Sequence, residues 1–195
     1  SVGITFSCVY YLDSDNILAC GAQIFRSSDA GVTWSLTGNS ASSLSGSTTI
    51  ISSIDFGTYS VGFISIDEKI YKSYDSGLSW SVSNAGAPVS PGSYIINIGY
   101  FNDSNIVNVL CENGVYLSTD GGDSFTQTLA IVAGTGASRL FRSRELSLFA
   151  VITSNQDIYT STGLTWTSVG TYPNSAAAYQ SLFAFDNFNY IFVGT

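Results

Sequence analysis

The 195-residue chain contains no histidine and no methionine, and only six of its residues are basic. The absence of histidine excludes a Ser-His-Asp triad, a histidine general base and the usual histidine-containing zinc sites. No cysteine pair has zinc-finger spacing, and no G-x-x-x-x-G-K-[ST] phosphate loop occurs. We therefore expect neither a metal nor any other cofactor. The absence of methionine means that the initiator was removed or that the chain belongs to something longer.

Charged residues are scarce, at 10% of the chain, and they are mostly acidic. Six Lys and Arg against 14 Asp and Glu give a net charge of -8. Nucleic acids and anionic membranes attract basic surfaces, so we expect neither partner. No segment of the sequence contains the run of about 18 apolar residues that a membrane span needs. Ser, Thr, Asn, Gly and Tyr must then supply the polar surface, which favours an extracellular or cell-surface location, and the glycosylation sequon at Asn102 agrees with it.

Only three cysteines are present, Cys8, Cys20 and Cys111. A turn at residues 13–16 joins the predicted strands that carry Cys8 and Cys20. Pairing of those strands would bring the two thiols close, so a hairpin disulfide is one prediction. The alternative is that all three cysteines are small buried hydrophobic residues. Cys20 and Cys111 hold similar positions in repeats that are not neighbours, so we do not expect them to meet.

What the chain does contain is a repeated motif of the form S-x-D-x-G-x-[ST]-[WF]. Three copies begin at Ser27, Ser73 and Ser118, and a shortened copy at Ser161 lacks the aspartate. An apolar-aromatic step such as Ile24-Phe25 precedes each copy. The motif residues to which we assign structural roles are Ser27, Asp29, Gly31, Trp34, Ser73, Asp75, Gly77, Trp80, Ser118, Asp120, Gly122, Phe125, Gly163 and Trp166.

Each residue type in this motif, called the turn motif below, suits a tight turn between two strands. The aspartate can accept hydrogen bonds from turn amides, as in an Asx-turn. The glycine adopts backbone angles that are costly for other residues. The final Trp or Phe is a large apolar side chain that can pack against a neighbouring element. We therefore interpret the motif as structural and assign it no catalytic residue.

The apolar-aromatic steps at Ile24, Ile70, Val115 and Ile158 are separated by 46, 45 and 43 residues. A period in the forties with short strands is typical of β-propeller blades. The sequence predicts an all-β propeller with no helix of useful length. Its single domain would hold about four four-stranded blades and a C-terminal half blade. The predicted blades are 1–47, 48–92, 93–136 and 137–176, the half blade is 177–195, and the strands of the first unit are 4–11, 17–21, 23–27 and 33–36.

The motif and its period resemble the Asp-box (BNR) repeats of sialidases, sortilin-type receptors, xyloglucan-degrading glycosidases and photosystem assembly factors. The resemblance covers nearly the whole chain and implies that the motif forms the turn between the third and fourth strands of each blade. A sialidase draws an arginine triad from several blades, whereas Arg139, Arg142 and Arg144 fall in one predicted blade. Xyloglucanase-like enzymes have more blades than 195 residues can form.

Propeller geometry leaves four acids as candidates for carbohydrate chemistry. In the resembling families, ligand sites usually lie on the face opposite the turn motifs. That face would carry Asp67 and Glu68 in the second repeat, Glu112 in the third and Asp157 in the fourth. Glycosidases need only two carboxylates. A glycoside hydrolase or sugar-binding module is therefore the alternative to our first hypothesis, a non-catalytic extracellular structural or interaction module.

The predicted half blade, residues 177–195, is strongly apolar and aromatic. An open pair of such strands invites another chain. Either the chain continues beyond this segment or the segment docks on another subunit. In the second case a head-to-tail contact that does not close into a ring produces a filament. The expected partners are therefore protein, through self-assembly at 177–195, or a glycan.

Overall fold

The computed structural model describes residues 5–46, 50–84, 89–101, 105–131, 137–143, 148–153, 157–171, 183–185 and 191–193. These residues form an all-β propeller with four four-stranded antiparallel sheets and one two-stranded sheet. The strand order within each four-stranded sheet follows the chain. Each of these sheets is a blade, and the two-stranded sheet is called the fifth unit.

The bounds of the elements are as follows. Blade 1 contains β1 (Phe6–Tyr11), β2 (Ile17–Gly21), β3 (Gln23–Ser27) and β4 (Ser35–Ser40), followed by the helix α1 (Ala41–Ser45). Blade 2 contains β5 (Ile51–Phe56), β6 (Gly62–Ile66), β7 (Lys69–Ser73) and β8 (Ser81–Val82). Blade 3 contains β9 (Ile95–Phe101), β10 (Ile106–Cys111), β11 (Gly114–Ser118) and β12 (Thr126–Ala130). Blade 4 contains β13 (Ala137–Ser143), β14 (Leu148–Thr153), β15 (Asp157–Ser161) and β16 (Thr167–Thr171), and the fifth unit contains β17 (Phe183–Phe185) and β18 (Ile191–Val193).

Blade 1 illustrates where prediction and structure differ. The second and third strands have the predicted bounds, but β4 begins at Ser35, two residues late. The reason is that Thr33 and Trp34 hydrogen-bond back into the turn motif. The helix α1 was not predicted. It is a single turn in which Ser40 and Ser43 cap each other, each hydroxyl oxygen accepting the other residue's backbone N–H at 2.8 and 3.1 Å.

The hydrophobic core lies between consecutive blades. The first strands β1, β5, β9 and β13 contact one another in succession, so they line the inside of the propeller. Three apolar clusters fill the spaces between blades, and each draws residues from two neighbouring sheets. For example, Leu18 and Ile24 of blade 1 pack in one cluster with Phe56 and Trp80 of blade 2. Each blade therefore buries its apolar faces only when another blade covers them.

The glycine of the turn motif lies at the closest approach between blades. A Cβ placed on Gly77 would lie 2.6 Å from Leu18 of blade 1, and one on Gly122 would lie 2.7 Å from Phe63 of blade 2. A Cβ on Gly163 would lie 2.9 Å from Ile106 of blade 3. The motif glycines have positive φ, +81° at Gly77 and +94° at Gly122. Glycine is thus required for two reasons: the backbone has a positive φ at this position, and the preceding blade leaves no room for a side chain.

We expect Gly77→Val to destabilise the protein more than Gly31→Val does. Both glycines have positive φ, +81° and +90°, so valine is strained at either position. Only at Gly77 does the added side chain also collide with the fully buried Leu18, which overpacks the core by about 1–3 kcal/mol. Urea unfolding of the two variants measures the difference. Equal losses in the free energy of unfolding would show that the contact between blades contributes nothing.

Candidate functional site

Hydrogen bonds within the turn motif hold its two strands together. In blade 1 the hydroxyl oxygen of Ser27 accepts the N–H of Gly31 at 2.8 Å. Asp29 Oδ1 accepts the Ser27 hydroxyl at 2.7 Å and the Thr33 N–H at 2.8 Å. The same bonds recur at Ser73, Asp75 and Ser79 and at Ser118, Asp120 and Ser124. In blade 4 the Gly163 N–H still donates to Ser161, at 2.9 Å.

These hydrogen bonds also favour the ionised form of the motif carboxyls. The hydroxyl and the N–H of Thr33 are the main causes that lower the pKa of Asp29 to about 2. The hydroxyls of Ser124 and Ser118 similarly lower the pKa of Asp120 to about 2. Carboxylates held in this way act as hydrogen-bond acceptors, not as proton donors. The chemistry of the motif is therefore that of a structural turn.

The carbonyl of each motif glycine accepts a hydrogen bond, but the donor changes along the chain. Trp34 Nε1 donates to Gly31 at 3.0 Å, and Trp80 Nε1 donates to Gly77 at 3.2 Å. In blade 3, where Phe125 replaces the Trp, the Ser83 hydroxyl of blade 2 donates to the Gly122 carbonyl at 2.6 Å.

In blade 4 the donor to the Gly163 carbonyl is Asn108 Nδ2 of blade 3, at 3.3 Å. Among the described residues, Trp166 Nε1 and Asn108 Oδ1 are buried without a hydrogen-bond partner. The loss of the aspartate in the fourth motif is thus accompanied by a different, less complete set of contacts with the preceding blade.

Two basic side chains bridge consecutive blades. Arg26 Nη1 donates to the carbonyl of Ser76 at 3.1 Å, and Lys72 Nζ donates to the carbonyl of Gly121 at 2.8 Å. Arg26 and Lys72 hold equivalent positions, because each lies directly opposite the second-strand residue that packs on the next motif glycine. These cations, from a chain with only six basic residues, are used for contacts between blades.

A third basic residue, Arg142, joins all four blades at the axis. Its Nη2 lies 2.6 Å from Asp55 Oδ1 of blade 2, which is the one ion pair found among the described residues. It also donates to the carbonyls of Phe56 and Tyr100 and, at 3.5 Å, to the hydroxyl of Tyr10 in blade 1. A single side chain of blade 4 thus contacts the first strand of each of the other three blades.

Arg142 stands where the other blades have an aromatic residue. Strand pairing makes it equivalent to Tyr11, Phe56 and Tyr100, because each of the four pairs with the second-strand residue that lies opposite the motif serine. Burial raises the pKa of Asp55 to about 7, against the opposing effects of Arg142 and of the Tyr100 N–H. Asp55 is not among the four acids that the sequence offers as candidates, and Arg142 is noted there only beside Arg139 and Arg144. The signal in the sequence that could have identified Arg142 is that an arginine replaces the aromatic residue found at the same position of the other three repeats.

Two cavities are lined by described residues. One, of about 240 Å³, lies at the axis beside Asp55 and Arg142 and is otherwise lined by residues of β5, β9 and β13. The other, of about 480 Å³, lies on blade 1, and its lining residues are Phe6, Val9, Ala19, Phe25 and Trp34. Neither cavity contains any of the four acids proposed for carbohydrate chemistry.

The four acids lie on turns and at a strand start. Asp67 and Glu68 form the turn between β6 and β7, Glu112 begins the turn after β10, and Asp157 begins β15. Burial, then the charges of Glu112 and Glu68, raise the pKa of Cys111 to about 12. The charges of Glu68 of blade 2 and Glu112 of blade 3 thus both act on this thiol. Asp157 instead accepts the Thr171 hydroxyl at 2.7 Å within blade 4.

Cys8 and Cys20 are directly opposite each other in the pairing of β1 with β2. Both are free thiols in this structure, as is Cys111. A hydrogen bond with Cys20 is the main cause that lowers the pKa of Cys8. The disulfide between them stays a prediction. The sequon residue Asn102 lies outside the described residues.

The part of the chain that the structure describes lacks two other kinds of site. No group of three or more Cys, Asp or Glu side chains there could hold a metal ion. No helix among those residues is long and apolar enough to cross a membrane.

We expect Arg142→Met to lower the free energy of unfolding by about 3–5 kcal/mol, because it leaves Asp55 buried without its cation. Asp55→Asn in the same chain should recover part of this loss, because the amide carries no charge and can still accept the Tyr100 N–H. Urea unfolding of the two single variants and the double variant measures the coupling. Arg139→Met is the control, since Arg139 is exposed on the same strand. Additive losses would mean that the axial pair does not act as a unit.

Comparison with protein-family models and with curated protein sequences finds no match. Solved structures do resemble the chain. YCF48 bound to a D1 peptide is 20% identical, with a TM-score of 0.63 over 82% of this chain and 53% of that one. A GH74 xyloglucanase from Xanthomonas campestris is 13% identical, with a TM-score of 0.63 over 91% of this chain and 32% of that one. The extracellular domain of BT4673 from B. thetaiotaomicron is 12% identical, with a TM-score of 0.65 over 97% and 25%. The chain thus spans about half of that YCF48 chain and less of the others, and these likenesses show the β-propeller fold.

Proposed function

We propose that this protein is a non-catalytic extracellular structural and interaction module that assembles with further copies of itself through residues 177–195. The observation that carries the proposal is the set of large apolar side chains that blade 1 leaves exposed. Phe6, Val9, Tyr11, Trp34 and Leu36 are between 42% and 65% exposed. A contiguous apolar patch on a soluble protein is typical of a surface that binds another protein.

The polar groups of the chain support a structural role. The aspartates of the turn motifs are occupied by hydrogen bonds from their own turns, and Asp55 is paired with Arg142. Arg26 and Lys72 bridge blades. These charged groups are therefore used to hold the fold together. YCF48, which shares the fold, was solved with a bound peptide, which supports a protein partner here.

An extracellular location is supported by composition and by one structural relative. Only 10% of the residues are charged, and the surface relies on Ser, Thr, Asn and Tyr. One of the solved propellers of similar fold is an extracellular domain. The sequon at Asn102 would then carry a glycan, which intact-mass measurement of native material detects.

A carbohydrate-active propeller is the second candidate. It is favoured by two carboxylates from neighbouring blades, Glu68 and Glu112, whose charges act on the same thiol, since a glycosidase needs a pair of carboxylates. GH74 enzymes share the fold. In this alternative the ligand is a polysaccharide bound on the face opposite the turn motifs.

Two measurements on the full-length chain separate the candidates. Sedimentation velocity over a range of concentrations should show species that grow with concentration, and incubation with xyloglucan and other polysaccharides should release no reducing ends. A monodisperse monomer at every concentration would contradict the assembly proposal. Release of reducing ends that is lost in Glu68→Gln or Glu112→Gln, but not in Glu145→Gln, would establish the hydrolase instead.

A further inference from the structure

Blade 1 exposes on one face the side chains that the later blades bury against the blade before them. The motif residue Trp80 of blade 2 is 8% exposed, because blade 1 covers it, whereas the equivalent Trp34 of blade 1 is 42% exposed. Tyr71 of blade 2 is buried in the same cluster, but the equivalent Phe25 is only half-buried. The exposed face of blade 1, formed by Phe6, Val9, Ala19, Phe25 and Trp34 and called the open face, surrounds the cavity of about 480 Å³.

The glycine contact identifies the kind of surface that fits the open face. Gly77 and Gly122 each abut a second-strand side chain of the preceding blade, Leu18 and Phe63. At Gly31 the described residues within 4 Å of the added Cβ position are Ile17 and Trp34, both of its own blade. The open face therefore has the shape that, elsewhere in this molecule, receives an apolar residue from the second strand of another unit.

The two strands of the fifth unit pair in the same register as the first two strands of blade 1. Its pair Ala184↔Phe192 corresponds to the pair Tyr10↔Leu18 of blade 1, because each is the second pair before a connection of equal length, 186–190 and 12–16. Phe192 thus holds the register position of Leu18 and Phe63, the residues that pack on the next motif glycine. The fifth unit therefore has an apolar residue at the register position whose counterparts in blades 1 and 2 pack on the motif glycine of the next blade.

Charge favours contact between these two surfaces over other contacts between copies. The chain has a net charge of -8, so most approaches of one copy to another are repulsive. The five residues that line the open face are uncharged. Residues 177–195 contain one charged side chain, Asp186. The open face and the segment 177–195 therefore contain almost no charge, so a contact between them avoids the repulsion between other parts of two copies.

We propose that the fifth unit of one copy docks on the open face of blade 1 of a second copy, with Phe192 against Gly31. The inference rests on the proposed self-assembly and names its acceptor surface. A second copy supplies the occupant because β17 and β18 pair only with each other among the described strands, while the open face stays exposed. The contact is head-to-tail, so each copy offers one donor and one acceptor and the assembly grows linearly.

Three full-length variants test the contact by sedimentation velocity. Val9→Glu places a charge on the open face, and Phe192→Glu places one on the fifth unit. Val82→Glu is the matched control, because Val82 is 49% exposed and Val9 is 55% exposed, but Val82 lies on blade 2. We expect the control to assemble like the unchanged protein and the other two variants to remain monomeric.

A mixture of the two defective variants gives the sharpest result. Val9→Glu keeps its donor and Phe192→Glu keeps its acceptor, so together they can form one contact and should stop at the dimer. If Val9→Glu assembles as well as the control, the acceptor lies elsewhere, although self-assembly stands. If the unchanged protein is a monomer, the proposed function fails as well. A mixture that stays monomeric overturns the head-to-tail contact.

A cross-linking measurement does not depend on the folding of these variants. A photoreactive phenylalanine at position 34 is introduced into unlabelled protein, which is mixed with ¹⁵N-labelled protein and irradiated. Cross-linked peptides that join position 34 to residues 177–195 of the labelled copy support the proposal. Links confined to one copy would show that the fifth unit closes on its own blade 1, and links to other regions would place the contact elsewhere.

Discussion

The contact between the second strand of one blade and the turn-motif glycine of the next is the constraint on which the rest of the structure depends. Gly77 receives Leu18, and Gly122 receives Phe63, at distances that leave no room for a side chain. The hydroxyl oxygen of the motif serine accepts the N–H of that glycine and holds it in position, and Arg26 and Lys72 donate to the carbonyl just before it. The motif thus serves two purposes, since it closes a turn within its own blade and forms the surface on which a second-strand side chain of the preceding blade packs.

Arg142 complements these peripheral contacts at the axis. The four first strands converge there, and a buried guanidinium with several oxygen acceptors can bond to strands from different blades at once. Its ion pair with Asp55 does not by itself imply high stability, because desolvation offsets much of the attraction. What the pair does specify is register, because a shift of β13 by one residue would turn Arg142 away from Asp55. The propeller is consequently tied at its rim by glycine contacts and at its centre by one arginine.

Much of the fold could be predicted because its signals are local. The bounds of β2 and β3 follow from continuous apolar runs between turn residues, and the blade count follows from the spacing of the motif. The fourth strand begins later than predicted because side-chain bonds to Asp29 hold the residues after the motif within the turn. The axial pair could not be predicted in the same way. Asp55 and Arg142 are 87 residues apart, and only the convergence of separate blades brings them together.

The proposed self-assembly follows from the same repeated packing of one blade on the next. Blade 1 has an exposed apolar face, and its residues match those that are buried between the other blades. This gives a physical reason for association that needs no catalytic residue, and it explains why the exposed apolar side chains of blade 1 lie together. The four acids considered for carbohydrate chemistry share no described cavity, so the fold relatives that are hydrolases do not by themselves extend that activity to this chain.

The central claim is that the open face of blade 1 binds another unit in the same way that blades 1, 2 and 3 bind one another. Hydrogen exchange of the full-length protein at a dilute and at an assembling concentration tests it most directly, because exchange reports the local free energy of opening for each strand. We expect the amides of β1 to β4 to become more protected on assembly, while those of β5 to β12 keep the protection that they have in the dilute protein. Unchanged exchange in blade 1 of an assembled sample would contradict the claim.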